Sequence, residues 1–186
     1  MIIIKQKLHH RKNNRLRGYD YSSNGLYFIT ICVKHRLKHL GGVWNAKMCV
    51  NRFGSIVLQQ WNWLAEQYPY IILHEFVVMP NHVHGIVQID SSLLSCRDRS
   101  RPVPTPNADT TINHITNKKT KIKPLSEIVG AFKTTSSKSI HRNGFPQFQW
   151  QRSFYDHIIL DEKSYFAITN YIKQNPVIWW RDRNNL

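Results

Sequence analysis

Two apolar runs back to back constrain this chain most. Tyr70 to Met79 and His82 to Ile89 are each long enough for a strand, and only Pro80-Asn81 separates them. Such a pair reads as an antiparallel hairpin closed by a tight turn. Side chains alternate along a strand, so His82, His84, Ile86 and Gln88 share one face, with Val83, Gly85, Val87 and Ile89 on the other. At about 3.3 Å per residue the two histidine Cα atoms lie roughly 6.6 Å apart. Two imidazoles at that separation can converge on one divalent cation through neutral ring nitrogens. Strand histidines also simply hydrogen-bond to neighbours or face solvent, and the spacing leaves both readings open. The Pro-Asn turn and the wholly apolar opposite face make a rigid mount for ligands. Two ligands do not complete a metal site, so further groups must come from elsewhere in the chain.

The remaining pattern alternates strands and helices. Leu26 to Val33, rich in β-branched and aromatic residues after Ser22-Ser23-Asn24-Gly25, predicts a central strand. Val43-Trp44 and Lys47 to Val50 around Asn45-Ala46 predict a short hairpin at the sheet edge. Ile56, Gln60, Trp63 and Leu64 recur at helical spacing and predict a helix from Gly54 to Gln67, ended by Pro69. Leu125, Ile128, Val129, Phe132 and Ser136 mark a second helix over Leu125 to Ile140. Phe148 to Leu160 reads as turn and strand. Asp161 caps a third helix that reaches Gln174 and stops at Asn175-Pro176. Between Ser91 and Pro124 the chain is rich in Ser, Thr, Asn, Pro and Lys, which predicts a flexible insertion. The expected organisation is a basic arm over 1–18, one domain over 19–176 with 91–124 inserted, and a tail over 177–186.

Charge points to the partner. With 26 Lys and Arg against 11 Asp and Glu the chain carries +15, an excess most simply explained by a polyanion. From Met1 to Ala65 the sole acid is Asp20, against eleven Lys and Arg. Arg11, Lys12, Arg15 and Arg17 of the arm, Lys133 and Lys138 of the second helix, and Arg152 are the expected contacts to phosphates. No apolar run approaches the roughly eighteen residues of a membrane span, and Lys5 interrupts the opening Met1 to Ile4 before a signal segment can form. Cys32, Cys49 and Cys96 form neither a disulfide framework nor a CxxC pair. The expectation is a cytoplasmic, nucleoid-associated protein with no membrane partner.

The third helix carries Tyr171, with Asn175 four residues on along the same face. A phenol oxygen can act as a nucleophile, and a side-chain amide oxygen is a hard ligand for a divalent cation. Spacing leaves Tyr171 open as either core residue or nucleophile. Tyr155 and Tyr165 are rival nucleophiles, although the strand-like run around Tyr155 favours a packing or DNA-contact role for it. Glu75 is a candidate to assist the metal, although its Val and Phe neighbours favour a plain structural role.

Six ordered stretches carry a resemblance: Tyr19-Asp20-Tyr21, Tyr27 to Cys32, Val77 to Gly85, Val129 to Lys133, Trp150 to His157 and Tyr171 to Pro176. Together they resemble the REP-associated tyrosine transposases, relatives of the single-tyrosine transposases in the His-hydrophobic-His endonuclease superfamily. The resemblance implies an α+β fold, an antiparallel sheet with helices packed on it and a ferredoxin-like or RNA-recognition-motif-like core. It implies that His82 and His84 hold Mg²⁺ or Mn²⁺, that Asn175 is a further metal ligand, and that Tyr171 is the nucleophile. The implied activity is cleavage and rejoining of hairpin-bearing single-stranded DNA through a 5′-phosphotyrosine, by a monomer or a homodimer. The segment 91–124 departs from the family pattern. Two other readings stay open at this point: a metallonuclease that uses water, and a domesticated hairpin-binding DNA- or RNA-binding protein that transfers no strand.

Overall fold

The hairpin expected around Pro80-Asn81 forms one half of a four-stranded sheet. The computed structural model describes residues 15–97, with only the backbone at 95–97, together with 121–182 and 184–185. The strands are β1 (Gly25–Cys32), β4 (Ile71–Val78), β5 (His82–Ile89) and β6 (Tyr155–Ile159), hydrogen-bonded in the order β4-β5-β1-β6, with every neighbour antiparallel. Among the described residues β2 (Gly41–Trp44) and β3 (Lys47–Val50) pair only with each other. Asn45 and Ala46 close that hairpin with φ of 48° and 59°, the left-handed pair that a two-residue turn needs to match strand twist. The expected hairpin therefore forms, but as a separate two-stranded sheet and not as an edge of the main one.

Alternation splits the main sheet into two faces. Tyr27, Ile29, Ile31, Val83, Val87 and Ile89 turn towards α1 (Arg52–Gln67) and α3 (Leu125–Arg142), forming the larger core with Val57, Trp61, Leu64, Ile128, Val129 and Phe132. Asn51 starts α1 by accepting the N–H groups of Phe53 and Gly54, two residues earlier than the apolar periodicity alone placed the start. Phe28 and Ile86 turn the other way with Thr30, His82 and His84, and meet Ile172 of α4 (Glu162–Gln174). Asp161 caps α4 as expected, its carboxylate accepting the Ser164 N–H at 2.8 Å. The insertion is not structureless throughout. Ser92–Arg97 forms a short helix, α2, whose first residue is tied by its N–H and hydroxyl to the Asp90 carboxylate. Residues 98–120 lie outside the described part.

A bulge in β4 places α4. The β4–β5 register shifts between Leu73 and Phe76, so His74 and Glu75 share the space of one residue on the partner strand. His74 Nδ1 then lies 3.1 Å from the Tyr165 hydroxyl and Glu75 ion-pairs with Lys173 at 3.4 Å, both partners on α4. Glu75 is thus engaged with the helix, not with the histidines.

The strand that carries the histidines is held from behind by one close approach. A Cβ on Gly85 would meet Trp61 Cη2 at 2.5 Å and Phe76 Cδ2 at 2.9 Å, because the Trp61 and Phe76 rings stack at 4.2 Å across that position. Gly85→Ala should cost about 1–3 kcal/mol by overpacking. For a chain of this size that lowers Tm by about 2–4 °C per kcal/mol, and a thermal melt checks it.

Candidate functional site

The site grows from the start of β5. Asn81 Nδ2 donates to the carbonyls of Arg36 (3.0 Å) and Asn184 (2.6 Å), which fixes the amide so that Oδ1 faces His82 Nδ1 at 2.8 Å. An amide oxygen only accepts, so His82 carries a proton on Nδ1, and the neutral ring then offers the Nε2 lone pair. On β1, Thr30 stands opposite His84 and brings its hydroxyl to 2.8 Å from His84 Nδ1. Both rings are thereby oriented with Nε2 inward, 3.0 Å apart, and the two residues are 0% and 1% exposed.

A third group arrives from the end of the chain. The turn Trp179–Arg181 lays the Trp179 ring near His82, 5.9 Å between centroids, and Asp182 follows with Oδ2 at 3.6 Å from His82 Nε2. His82, His84 and Asp182 offer ligand atoms within 4.8 Å of one another. The tail therefore does more than pack. Asn184 is buried, and its carbonyl is one of the two that set the Asn81 amide.

Tyr171, on α4, comes to the same place. Its hydroxyl lies 3.3 Å from His84 Nε2, and its ring packs edge-on to His84 (5.2 Å) and Phe28 (6.2 Å). It is 37% exposed, a helix residue at the rim and not a core one. Asn175 closes the helix fully buried, and among the described residues neither polar atom of its amide has a hydrogen-bond partner. Asp182 Oδ2 also lacks a hydrogen bond. Enclosed oxygens left unsatisfied are costly unless something pairs with them. Two imidazole nitrogens and a carboxylate oxygen within 4.8 Å of one another form a donor set that suits a divalent cation. The residues present thus fit the metal that the family resemblance implies.

The other expected residues are spread more widely. Tyr165 bonds to His74, and Tyr155 lies exposed at the open edge of β6, its ring 6.4 Å from Phe28. Lys133 and Lys138 are on α3, across the sheet from the histidines. The Lys133 ammonium donates to the carbonyls of Gln151 and Arg152, so it clamps a turn, and burial lowers its pKa. Lys138, Arg17 and Arg152 are exposed. Arg15 lies 3.9 Å from the Asp156 carboxylate, with its guanidinium over the Phe154 ring at 5.2 Å. Burial raises the Asp156 carboxyl above the usual range, against the pull of Tyr21 and Arg15. Arg11 and Lys12 lie outside the described residues. Sequence reasoning missed Asp182, Thr30 and the orienting role of Asn81. The Pro-Asn-His order held a signal for Asn81, but nothing in spacing linked residue 182 to residue 82.

No family model matches the chain. Its fold is a transposase fold. A REP-associated tyrosine transposase solved bound to a REP hairpin superposes with a TM-score of 0.53 at 19% identity, over 88% of this chain and 72% of that one. A Haemophilus influenzae protein that carries the provisional name REP-associated tyrosine transposase is 26% identical over 159 residues, 85% of this chain and 73% of its own length. An uncharacterised protein of the same organism is 36% identical over 181 residues, 95% of this chain and 93% of its own length. The chain is similar in sequence and in fold to REP-associated tyrosine transposases. Among the described residues no helix is long and apolar enough to cross a membrane.

Proposed function

We propose that this protein is a metal-dependent transposase that cuts and rejoins hairpin-bearing single-stranded DNA through a 5′-phosphotyrosine on Tyr171. One observation carries the reading: the Tyr171 hydroxyl stands 3.3 Å from His84 Nε2, itself 3.0 Å from His82 Nε2. A candidate nucleophile and a candidate cation site therefore share one small volume. His82, His84 and Asn175, joined by Asp182, would hold Mn²⁺ or Mg²⁺. The bound ion would polarise a non-bridging oxygen of the scissile phosphate. Two imidazoles among the ligands favour Mn²⁺, because Mg²⁺ prefers oxygen donors and water.

Tyr171 would attack phosphorus, giving up its phenolic proton, as the bond to the 3′ oxygen breaks and that oxygen leaves as a hydroxyl. The phosphodiester energy is kept in the phosphotyrosine, so a 3′-OH can reverse the step and rejoin strands without ATP. Water as nucleophile would not allow this. The bulge contacts of His74 and Glu75 hold α4 in place, so that Tyr171 needs little reorganisation to act. The partner proposed is the hairpin class named for the solved relative. A labelled single-stranded hairpin incubated with the protein and Mn²⁺ tests the proposal, since a denaturation-resistant protein–DNA adduct and rejoined strands should both appear.

Arg15, Arg17, Lys138 and Arg152, with Arg11 and Lys12 of the arm, are proposed to meet phosphates. Lys133 is better understood as a clamp on the turn before β6. Binding should weaken steeply with salt. Removing residues 1–17 should flatten the slope of log affinity against log salt by about 0.7 for each phosphate that the arm neutralises on a single strand. An unchanged slope would show that the arm does not touch DNA.

A further inference from the structure

We propose that Tyr155 is the stacking platform for an unpaired nucleobase beside the scissile phosphate, with His157 as the next ring along the same strand. The inference rests on the single-stranded-DNA reading above and assigns it a base-contacting surface. β6 is an edge strand, and its outward side chains are Tyr155, His157 and Ile159. Helix α4 is anchored by His74 and Glu75 on the opposite edge strand, β4. It covers Ile159, which is buried with Ile172, and leaves Tyr155 and His157 exposed. An aromatic ring 41% exposed on a strand is a surface that the packing of the described residues leaves open.

Its position ties it to the chemistry. Tyr155 stands across from Thr30, whose hydroxyl contacts His84 Nδ1. Phe28 links the two regions, with its ring 5.4 Å from His84, 6.2 Å from Tyr171 and 6.4 Å from Tyr155. A nucleobase lying on Tyr155 would be one ring away from the proposed nucleophile, and its own phosphate would reach the histidines. Exposed strand aromatics on a four-stranded sheet are a recurrent way to hold splayed bases.

The surroundings favour a nucleotide over an apolar partner. The one acid of the strand, Asp156, turns to the other face and is buried there. Arg152 is exposed just before the strand, and the chain as a whole carries +15. A base needs a ring face below it and tolerant charge beside its phosphates, and both are present.

The test uses the full chain in EDTA, which prevents cutting if the metal assignment holds, and hairpin oligonucleotides carrying 2-aminopurine at successive unpaired positions. Stacking on a ring quenches that fluorophore. One position near the cleavage point should be quenched by the wild type and by Tyr155→Phe, and not by Tyr155→Ala. Tyr155→Ala should also weaken hairpin binding roughly tenfold to a hundredfold, with an unchanged melt because the side chain is at the surface. Binding with no quench, or a quench that survives Tyr155→Ala, overturns the stacking role alone. A wild-type chain that binds no hairpin overturns the DNA reading and the platform with it. Loss of cutting in Tyr155→Phe with Mn²⁺ would make Tyr155 a reacting group and overturn its assignment as a platform.

Discussion

Tyr171→Phe is expected to leave the fold intact and to abolish the covalent adduct. The phenyl ring keeps the packing on His84 and Phe28, and the substitution removes only the hydroxyl that stands 3.3 Å from His84 Nε2. Deleting one partly exposed hydroxyl costs about 1 kcal/mol at most, or a few degrees of Tm. The consequence for chemistry is of another order. The attacking oxygen is gone, and the covalent route needs that atom, so cutting and rejoining should vanish together. Denaturing electrophoresis of labelled hairpin reports the adduct, and a thermal melt reports the fold. A Tyr171→Phe protein that cuts with no adduct would be a water-using nuclease. A protein that binds hairpins and never cuts, whatever the metal, would be the domesticated binder.

Replacing His82 or His84 with Ala is expected to remove divalent-ion binding and all cutting, while hairpin binding stays within about tenfold, roughly 1.4 kcal/mol. Both rings are buried, so each truncation also strands a partner: Asn81 Oδ1 for His82 and the Thr30 hydroxyl for His84. That penalty is about 1–3 kcal/mol, and it makes a second variant necessary. His84→Gln keeps a polar atom near Thr30 while losing the imidazole geometry, and it should still lose the ion. Titration of Mn²⁺ followed by its electron paramagnetic resonance signal reads binding without any turnover. Undiminished cutting in EDTA, or in the doubly substituted protein, would sink the metal assignment.

Much of this site was legible in the chain because strand parity is a strong constraint. Once β5 buries Val83, Val87 and Ile89 against the helices, His82 and His84 must share the other face. The Asp161 cap and the Asn175-Pro176 stop bounded α4, which carries Tyr171 next to the buried Ile172. The groups that arrive by long-range contact were not legible. Thr30 meets His84 through the register of β1 on β5, and Asp182 reaches His82 through a turn that no periodicity marks. The carbonyl contacts of Lys133 were not legible for a related reason. Helical spacing shows which side a cation leaves by, but not that a carbonyl pair from the turn before β6 waits there. Asn45-Ala46 signalled its hairpin clearly, whereas its separation from the main sheet depended on which edges β4 and β6 occupy.

The central claim is that one named oxygen attacks phosphorus. The most direct measurement traps the Mn²⁺-dependent complex on a single-stranded hairpin, digests it with protease and nuclease, and locates the nucleotide by peptide mass spectrometry. The account predicts a phosphonucleotide on the peptide containing Tyr171, joined through the 5′ phosphate. A nucleotide on the Tyr155 or Tyr165 peptide, or cut DNA bearing a free 5′ phosphate with no modified peptide, would contradict it.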